Sequence, residues 1–171
     1  MLRRLALGFL VTAVACGGGN TIKKAVPGPT ATVRSARAAH LTLSSTAFSD
    51  GAPIPKQYTC DGANQSPPLS WSAAPTGSAS LSLVVEDPDV PGGGFVHWTV
   101  SGIAPSVIAL QAGHAPPGAT EGRNGAGSVG YTGPCPPAGQ THHYLFMLKA
   151  VAGSTVLAVG ELTGTYQRPG P

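Results

Sequence analysis

Glycine and proline interrupt this chain at short and fairly even intervals, and this spacing limits what the chain can fold into. They fill 24 and 17 of its 171 positions, and the gaps between them, roughly 8 to 12 residues, are typical of turns between short strands. Long helices have no room between such breaks. The uninterrupted segments are rich in strand-forming residues and cover positions 41–46, 69–72, 81–86, 95–100, 144–150 and 156–166. The sequence therefore predicts an all-β sandwich or barrel.

The N-terminus has the features of an export signal. Arg3 and Arg4 precede an apolar run that ends in small residues at position 15, which is the pattern of a secretory signal peptide. The run is too short for a membrane span, which takes about 20 apolar residues. Cys16 follows directly, so we expect residues 1–15 to be a lipoprotein-type signal peptide and Cys16 to be lipidated, with Ala13 where such signals usually have leucine. The alternative is ordinary cleavage nearby.

Both alternatives place the protein outside the cytoplasm. We expect it in the bacterial cell envelope, held to the membrane by a lipid anchor on Cys16.

Charge is scarce and unevenly distributed. Residues 16–39 contain four of the ten basic residues and are rich in Gly, Ser, Thr and Pro, so we expect a disordered tether there. Residues 40–171 contain four basic and seven acidic residues, and they lack the basic stripe of a nucleic-acid-binding protein. We therefore expect one folded domain over 40–171 and no nucleic-acid partner.

Two cysteines remain for the folded domain once Cys16 is assigned to the signal. Cys60 and Cys135 form an even pair in an exported protein, and each lies beside a turn. Exported domains commonly contain disulfides, so we expect these two cysteines to be bonded. The alternative is two buried free thiols that pack as small apolar side chains.

Several ionisable side chains of the domain are concentrated in two stretches. Asp87 and Asp89 precede the sequence Phe-Val-His-Trp at 95–98, and a Gly/Pro-rich loop at 130–137 precedes the consecutive His142 and His143. Buried ionisable groups persist only when they are paired or hydrogen-bonded. Their concentration on an otherwise apolar chain therefore indicates one polar site.

Strand alternation predicts which of these side chains share a face. On the segment 95–100 we expect Trp98 to face the core and His97 to lie on the opposite face. On the strand after the loop, His142 and Tyr144 share a face that continues into the core. The two aspartates share a side if the preceding strand extends that far.

Three kinds of site fit an aspartate pair, histidines and a Gly/Pro loop. The first is an anion or phosphoryl-headgroup site, in which imidazole and loop N–H groups hold the anion and the aspartates orient the imidazoles or accept an ammonium group. The second is the metal site of a metal-dependent hydrolase, although His142 and His143 would face opposite ways on a strand. The third is acid–base or nucleophilic catalysis, for which no Gly-x-Ser-x-Gly turn marks a nucleophile. The residues favour the first kind, without a metal or other cofactor.

A series of motifs runs through positions 41–168 in a characteristic order. They include IPKQYTCDG at 54–62, SPPLSW at 66–71, LVVEDPD at 83–89, FVHW at 95–98, GYTGPCPP at 130–137, HHY at 142–144 and LTGTY at 162–166. Each motif is weak alone, but together they resemble the phosphatidylethanolamine-binding protein family, in its bacterial Raf-kinase-inhibitor-like branch.

The resemblance implies a β-sandwich with few short helices and a non-enzymatic pocket for phosphate-type anions, including phospholipid headgroups. It also implies the pocket residues, which are Asp87, Asp89, His97, Gly133, Pro136, His142 and Tyr144, with Tyr131 nearby. The family name suggests an alternative, a regulatory interaction module that inhibits a kinase or protease.

One departure from the resemblance concerns positions 151–154. Relatives usually have a longer connection there, with a helix. Loss of an amphipathic helix exposes the apolar face on which it packed. We therefore expect a less stable domain, or one that shields this face by forming a homodimer.

Overall fold

Residues 38–170 are described by the computed structural model, and within them the fold is all-β, as predicted. The regular structure of this part is nine strands and one turn of 3-10 helix at Lys56–Tyr58. The strands are β1 (Ala39–His40), β2 (Leu43–Ser44), β3 (Leu69–Trp71), β4 (Ser80–Asp87), β5 (Phe95–Ile103), β6 (Ala109–Leu110), β7 (Thr120–Glu121), β8 (Thr141–Ala152) and β9 (Thr155–Gln167). Six strands form a large sheet in the order β1-β9-β8-β4-β5-β7, and three form a small sheet in the order β2-β3-β6.

Side chains from both sheets meet in one hydrophobic core. Along β8, His142, Tyr144 and Phe146 are buried while the residues between them are more exposed, so the predicted alternation of this strand is present. Phe146 lies opposite Val85 of β4 and Leu162 of β9, which extends the buried face across the sheet. The small sheet contributes Leu43, Leu69, Trp71 and Leu110 to the same core.

Two glycines of β9 allow the N-terminal segment to approach this strand closely. A Cβ on Gly160 would lie 2.6 Å from the carbonyl oxygen of Leu41, and a Cβ on Gly164 would lie 2.5 Å from the Ile54 side chain. Leu41 and Ile54 each donate their backbone N–H to a carbonyl oxygen of β9, at 2.8 and 2.7 Å. The N-terminal segment thus covers the outer edge of β9 at two places.

Three details differ from the sequence prediction. Of the segment predicted as one strand over 41–46, only Leu43–Ser44 is strand, as β2 of the small sheet, whereas the preceding β1 pairs with β9 of the large sheet. Ala39, placed in the tether by its composition, already belongs to β1. β6 and β7 contain two residues each, which is too short for alternation to be recognised. The predicted signal peptide (1–15), Cys16 and the rest of the tether to position 37 lie outside the described residues.

The connection between β8 and β9 is a tight hairpin through Gly153 and Ser154, with Gly153 at a φ of 58°. Of the short segment at 151–154, the first two residues therefore belong to β8 and the other two form the turn. Residues 38–170 contain no helix of the length and apolarity that crossing a membrane would require.

Candidate functional site

A cavity of about 320 Å³ opens between the end of β4, the start of β5, the start of β8 and the Gly/Pro-rich loop. Its lining combines a few polar groups with apolar side chains. The lining residues are Asp87, Val90, Pro91, Phe95, His97, Thr132, Gly133, Cys135, Pro136, Pro137, Gln140 and His142. Five of the predicted pocket residues line this cavity, namely Asp87, His97, Gly133, Pro136 and His142.

Asp87 and His142 form a buried pair at the base of the cavity. The Nδ1 atom of His142 lies 2.7 Å from Oδ2 of Asp87, and their side chains are 8% and 3% exposed. The other oxygen of Asp87, Oδ1, accepts the backbone N–H of Asp89 at 2.9 Å. The carboxylate accepts the Nδ1–H of His142, and this bond turns Nε2 of the ring away from Asp87. Gln140 Oε1 lies 3.4 Å from Nε2. Asp87 therefore orients His142.

His97 is placed by a β-bulge, which corrects the face predicted for it. Trp98 pairs with Val85, but the next pair is Val96 with Glu86, so His97 is an extra residue in β5. A bulge re-aims the side chain of the extra residue. His97 and Trp98 are consequently both buried, at 4% and 1% exposure, rather than on opposite faces.

The ring of His97 is held by one hydrogen bond and two aromatic contacts. Its Nδ1 lies 2.7 Å from the carbonyl oxygen of Thr132, which can only accept, so Nδ1 carries a proton and Nε2 of the neutral ring is an acceptor. The ring centroids of Phe95 and Tyr144 lie 4.8 and 5.1 Å away, both in edge-to-face contact. Burial lowers the pKa of His97 below its usual value of 6.5, so the neutral ring is favoured near pH 7.

Tyr144 lies behind His97 rather than in the cavity lining. Its side chain is fully buried, and its hydroxyl has no hydrogen-bond partner among the described residues. Burial, with a smaller contribution from the charge of Asp87, raises the pKa of Tyr144 above its usual range. The hydroxyl therefore remains protonated near neutral pH.

The loop that forms one wall is anchored to the segment at 58–64. Cys60 and Cys135 are joined by a disulfide with their Cα atoms 5.4 Å apart. The backbone N–H of Gly133 donates to Asn64 Oδ1 at 2.7 Å, and that of Cys60 donates to Pro134 O at 3.1 Å. A Cβ on Gly133 would lie 2.7 Å from the Tyr58 carbonyl oxygen, so the close approach requires glycine.

The anchoring changes the role expected for this loop. The N–H of Gly133 is already bonded to Asn64, and positions 134, 136 and 137 are prolines without an N–H. The expected cradle of loop amides around an anion is therefore largely absent from this wall as the structure describes it. The wall instead contributes proline rings, the disulfide and the carbonyl oxygen of Thr132.

Besides Tyr144, two further predicted pocket residues lie outside the cavity lining. Tyr131 packs against Trp98 with ring centroids 5.7 Å apart, and its hydroxyl donates to the Tyr58 carbonyl oxygen at 2.9 Å. Asp89 pairs instead with His143, accepting its backbone N–H at 2.7 Å and its Nδ1–H at 2.8 Å. These hydrogen bonds lower the pKa of Asp89. The side chains of His143 and Asp89 are 58% and 37% exposed, so this second pair is on the outside.

The two aspartates diverge because β4 ends at Asp87. Beyond that residue the Asp89 N–H donates to Asp87 Oδ1 and closes a local turn. The turn takes the chain out of the strand and ends the alternation of its side chains.

Some lining residues were not predicted. Phe95 and Gln140 lie two positions before His97 and His142, a spacing that indicates proximity on an extended chain. Val90, Pro91 and Thr132 lie in the connections between strands and give no comparable signal. No group of three or more His, Cys, Asp or Glu side chains converges as a metal site within 38–170.

Comparison with known proteins gives consistent results. The family model described as Phosphatidylethanolamine-binding protein matches residues 44–167. A Mycobacterium tuberculosis protein named "Putative lipoprotein LppC" is 47% identical over 155 residues, which cover 86% of this chain and 77% of that protein. UPF0098 protein Mb1945c of Mycobacterium bovis is 49% identical over 152 residues, covering 84% of this chain and 74% of that protein.

Two solved structures share the fold. Escherichia coli YbcL, described as a new member of the mammalian PEBP family, has a TM-score of 0.71 at 31% identity and covers 75% of this chain and 99% of its own. CT736 of Chlamydia trachomatis has a TM-score of 0.71 at 38% identity, with 77% and 99% covered. On the family model, the sequence relatives and the shared fold together, the chain belongs to the phosphatidylethanolamine-binding protein family.

Proposed function

We propose that this protein is an exported, lipid-anchored binding module that holds a phosphate-bearing small molecule or phospholipid headgroup beside His97 and His142, without catalysing a reaction. Membership of the family supports a binding function. The observation that carries the proposal is that two imidazoles line one cavity while protein acceptors hold both of their Nδ1 atoms. Nε2 of His97 is thereby left available to a ligand, and Nε2 of His142 has only the 3.4 Å contact with Gln140 Oε1.

The size and lining of the cavity also favour binding. A volume of about 320 Å³ is within the range of small-molecule sites. The apolar lining residues suit the organic part of a headgroup. Among the lining residues, the sulfur of Cys135 is held in the disulfide, so it is not a free nucleophile.

Calorimetric titration with phosphoethanolamine tests the proposal. We expect His97→Ala and His142→Ala each to weaken binding about tenfold or more, since each loses a hydrogen bond to a charged group. His143→Ala is the matched control, because this residue is adjacent in sequence but lies outside the cavity. If both cavity variants bind as tightly as the wild-type protein while remaining folded, the proposal is wrong.

The lipid anchor needs a separate test. The proposal is supported by the position of Cys16 after the signal-like segment and by the lipoprotein name of the LppC relative. We expect Cys16→Ser to move the protein from the detergent phase to the aqueous phase when bacterial cells are fractionated. The intact mass of the wild-type protein should include acyl groups, and identical fractionation of the two proteins would contradict the anchor.

A further inference from the structure

The charge of the cavity is unusual for a phosphate site. Its lining as described contains neither lysine nor arginine, and its one carboxylate is Asp87. Even if His142 is counted as a cation, its pair with Asp87 has no net charge. A phosphate dianion would therefore bring two negative charges to a site without positive charge to offset them, and burial of uncompensated charge is strongly unfavourable.

The site is also poor in unengaged N–H donors. The Gly133 N–H is bonded to Asn64, and three of the four following loop positions are prolines. The Nδ1–H of His97 is bonded to the Thr132 carbonyl oxygen, so the neutral ring offers a ligand only the lone pair of Nε2. A fully deprotonated oxyanion would place oxygen lone pairs against this nitrogen lone pair.

We propose that the cavity selects phosphate monoesters in their singly protonated form, with the P–OH of the ligand donating a hydrogen bond to Nε2 of His97. This inference rests on the proposed function, since it specifies the ligand of the same site. The monoanion brings half the charge of the dianion into the cavity, and its hydroxyl satisfies the acceptor that the bulge has placed there.

The titratable groups around His97 are consistent with a neutral ring. Burial is the largest influence on the pKa of His97 and lowers it. The hydrogen bond to the Thr132 carbonyl oxygen and the charge of Asp87 at the end of β4 raise this pKa, and the charge of His142 on β8 lowers it. Tyr144 on β8 is protonated, and Tyr131 of the loop is bonded to the Tyr58 carbonyl oxygen. Asp89 and His143 are paired with each other outside the cavity.

Sulfate separates this inference from simple anion binding, because it has the tetrahedral shape of phosphate but no proton to donate near pH 7. We would titrate the full chain with phosphoethanolamine, with the O-sulfate ester of ethanolamine and with ethanolamine alone. At about pH 5.5, where most of the phosphate ester is the monoanion, it should bind about tenfold or more tightly than the sulfate ester, as expected for one hydrogen bond to a charged group. Its affinity should fall about tenfold per pH unit above its second pKa, near pH 6, because the monoanion becomes scarce.

A substitution of His97 by an amide provides a second readout. The His97→Gln side chain can turn an N–H toward the ligand, so this variant should lose most of the preference for phosphate over sulfate. His143→Gln is the control and should retain it. Equal affinities of the wild-type protein for the two esters, or a phosphate affinity that stays level or rises above pH 6, would overturn the inference.

Two other outcomes are distinguishable. Equally tight binding of ethanolamine would show that the acceptors recognise the ammonium group, which also overturns the inference. Failure of the wild-type protein to bind any phosphate monoester or phospholipid headgroup at any pH would instead refute the proposed function.

Discussion

Removal of the Cys60–Cys135 disulfide would show how far the cavity wall depends on a covalent cross-link. The two cysteines are 75 positions apart. In the chain-entropy model, a closed loop of this length restricts the unfolded chain by about 4.5 kcal/mol at 25 °C. Since whole domains are stable by only about 5–15 kcal/mol, the loss would be a large fraction of the total. For a domain of this size it corresponds to a fall of about 15 °C in Tm.

The variant should be the Cys60→Ala, Cys135→Ala double substitution, which leaves neither partner of the disulfide as a free thiol. Its free energy of unfolding would be measured by urea denaturation, with the wild-type protein in reducing agent as the matched comparison. We expect both to lose about the same stability, and reducing agent to leave the double variant unchanged. A double variant within about 1 kcal/mol of the oxidised wild-type protein would refute the loop-closure argument.

Three further predictions concern single side chains. Gly133→Ala should destabilise the domain by about 2–4 kcal/mol in urea denaturation, because the new methyl group overlaps fixed backbone and displaces the Asn64 hydrogen bond; a loss below about 1 kcal/mol would contradict the close approach. Asp87→Ala should lower the free energy of unfolding by about 3 kcal/mol or more, since it leaves a buried imidazole N–H without its acceptor. Asp89→Ala, at the exposed pair, should lower it by about 1 kcal/mol or less. Equal losses in urea denaturation would show that burial does not distinguish the two pairs. The folded state holds the pKa of His97 below 6.5, so the unfolded chain binds the proton first as the pH falls. The free energy of unfolding therefore falls as the pH drops below 6.5. His97→Phe should reduce this dependence of stability on pH, and an unchanged dependence would refute the lowered pKa of His97.

Much of the fold could be predicted because its signals are local. The spacing of Gly and Pro separates the strands, and the alternation along β8 identifies its buried face over His142, Tyr144 and Phe146. The polar site was visible for a related reason, since Asp87, His97 and His142 are ionisable residues within largely apolar strands.

The remaining features depend on single-residue events that periodicity does not contain. One extra residue in β5 turns His97 to the buried face, and nothing in Phe-Val-His-Trp marks a bulge there. Asp89 leaves the site because one hydrogen bond to Asp87 ends the strand. The hydroxyl of Tyr131 is bonded to a carbonyl oxygen 73 positions away, a partner that only the folded chain can provide.

The ends of the large sheet have a consequence for the behaviour of the protein at high concentration. Its outermost strands, β1 and β7, contain two residues each, and the N-terminal segment bonds to β9 again at Ile54. A strand from a second molecule would find only a few unsatisfied N–H and C=O groups in a row, too few to template continued pairing. We therefore expect the folded protein to resist polymerisation into fibrils even when it is crowded on a surface.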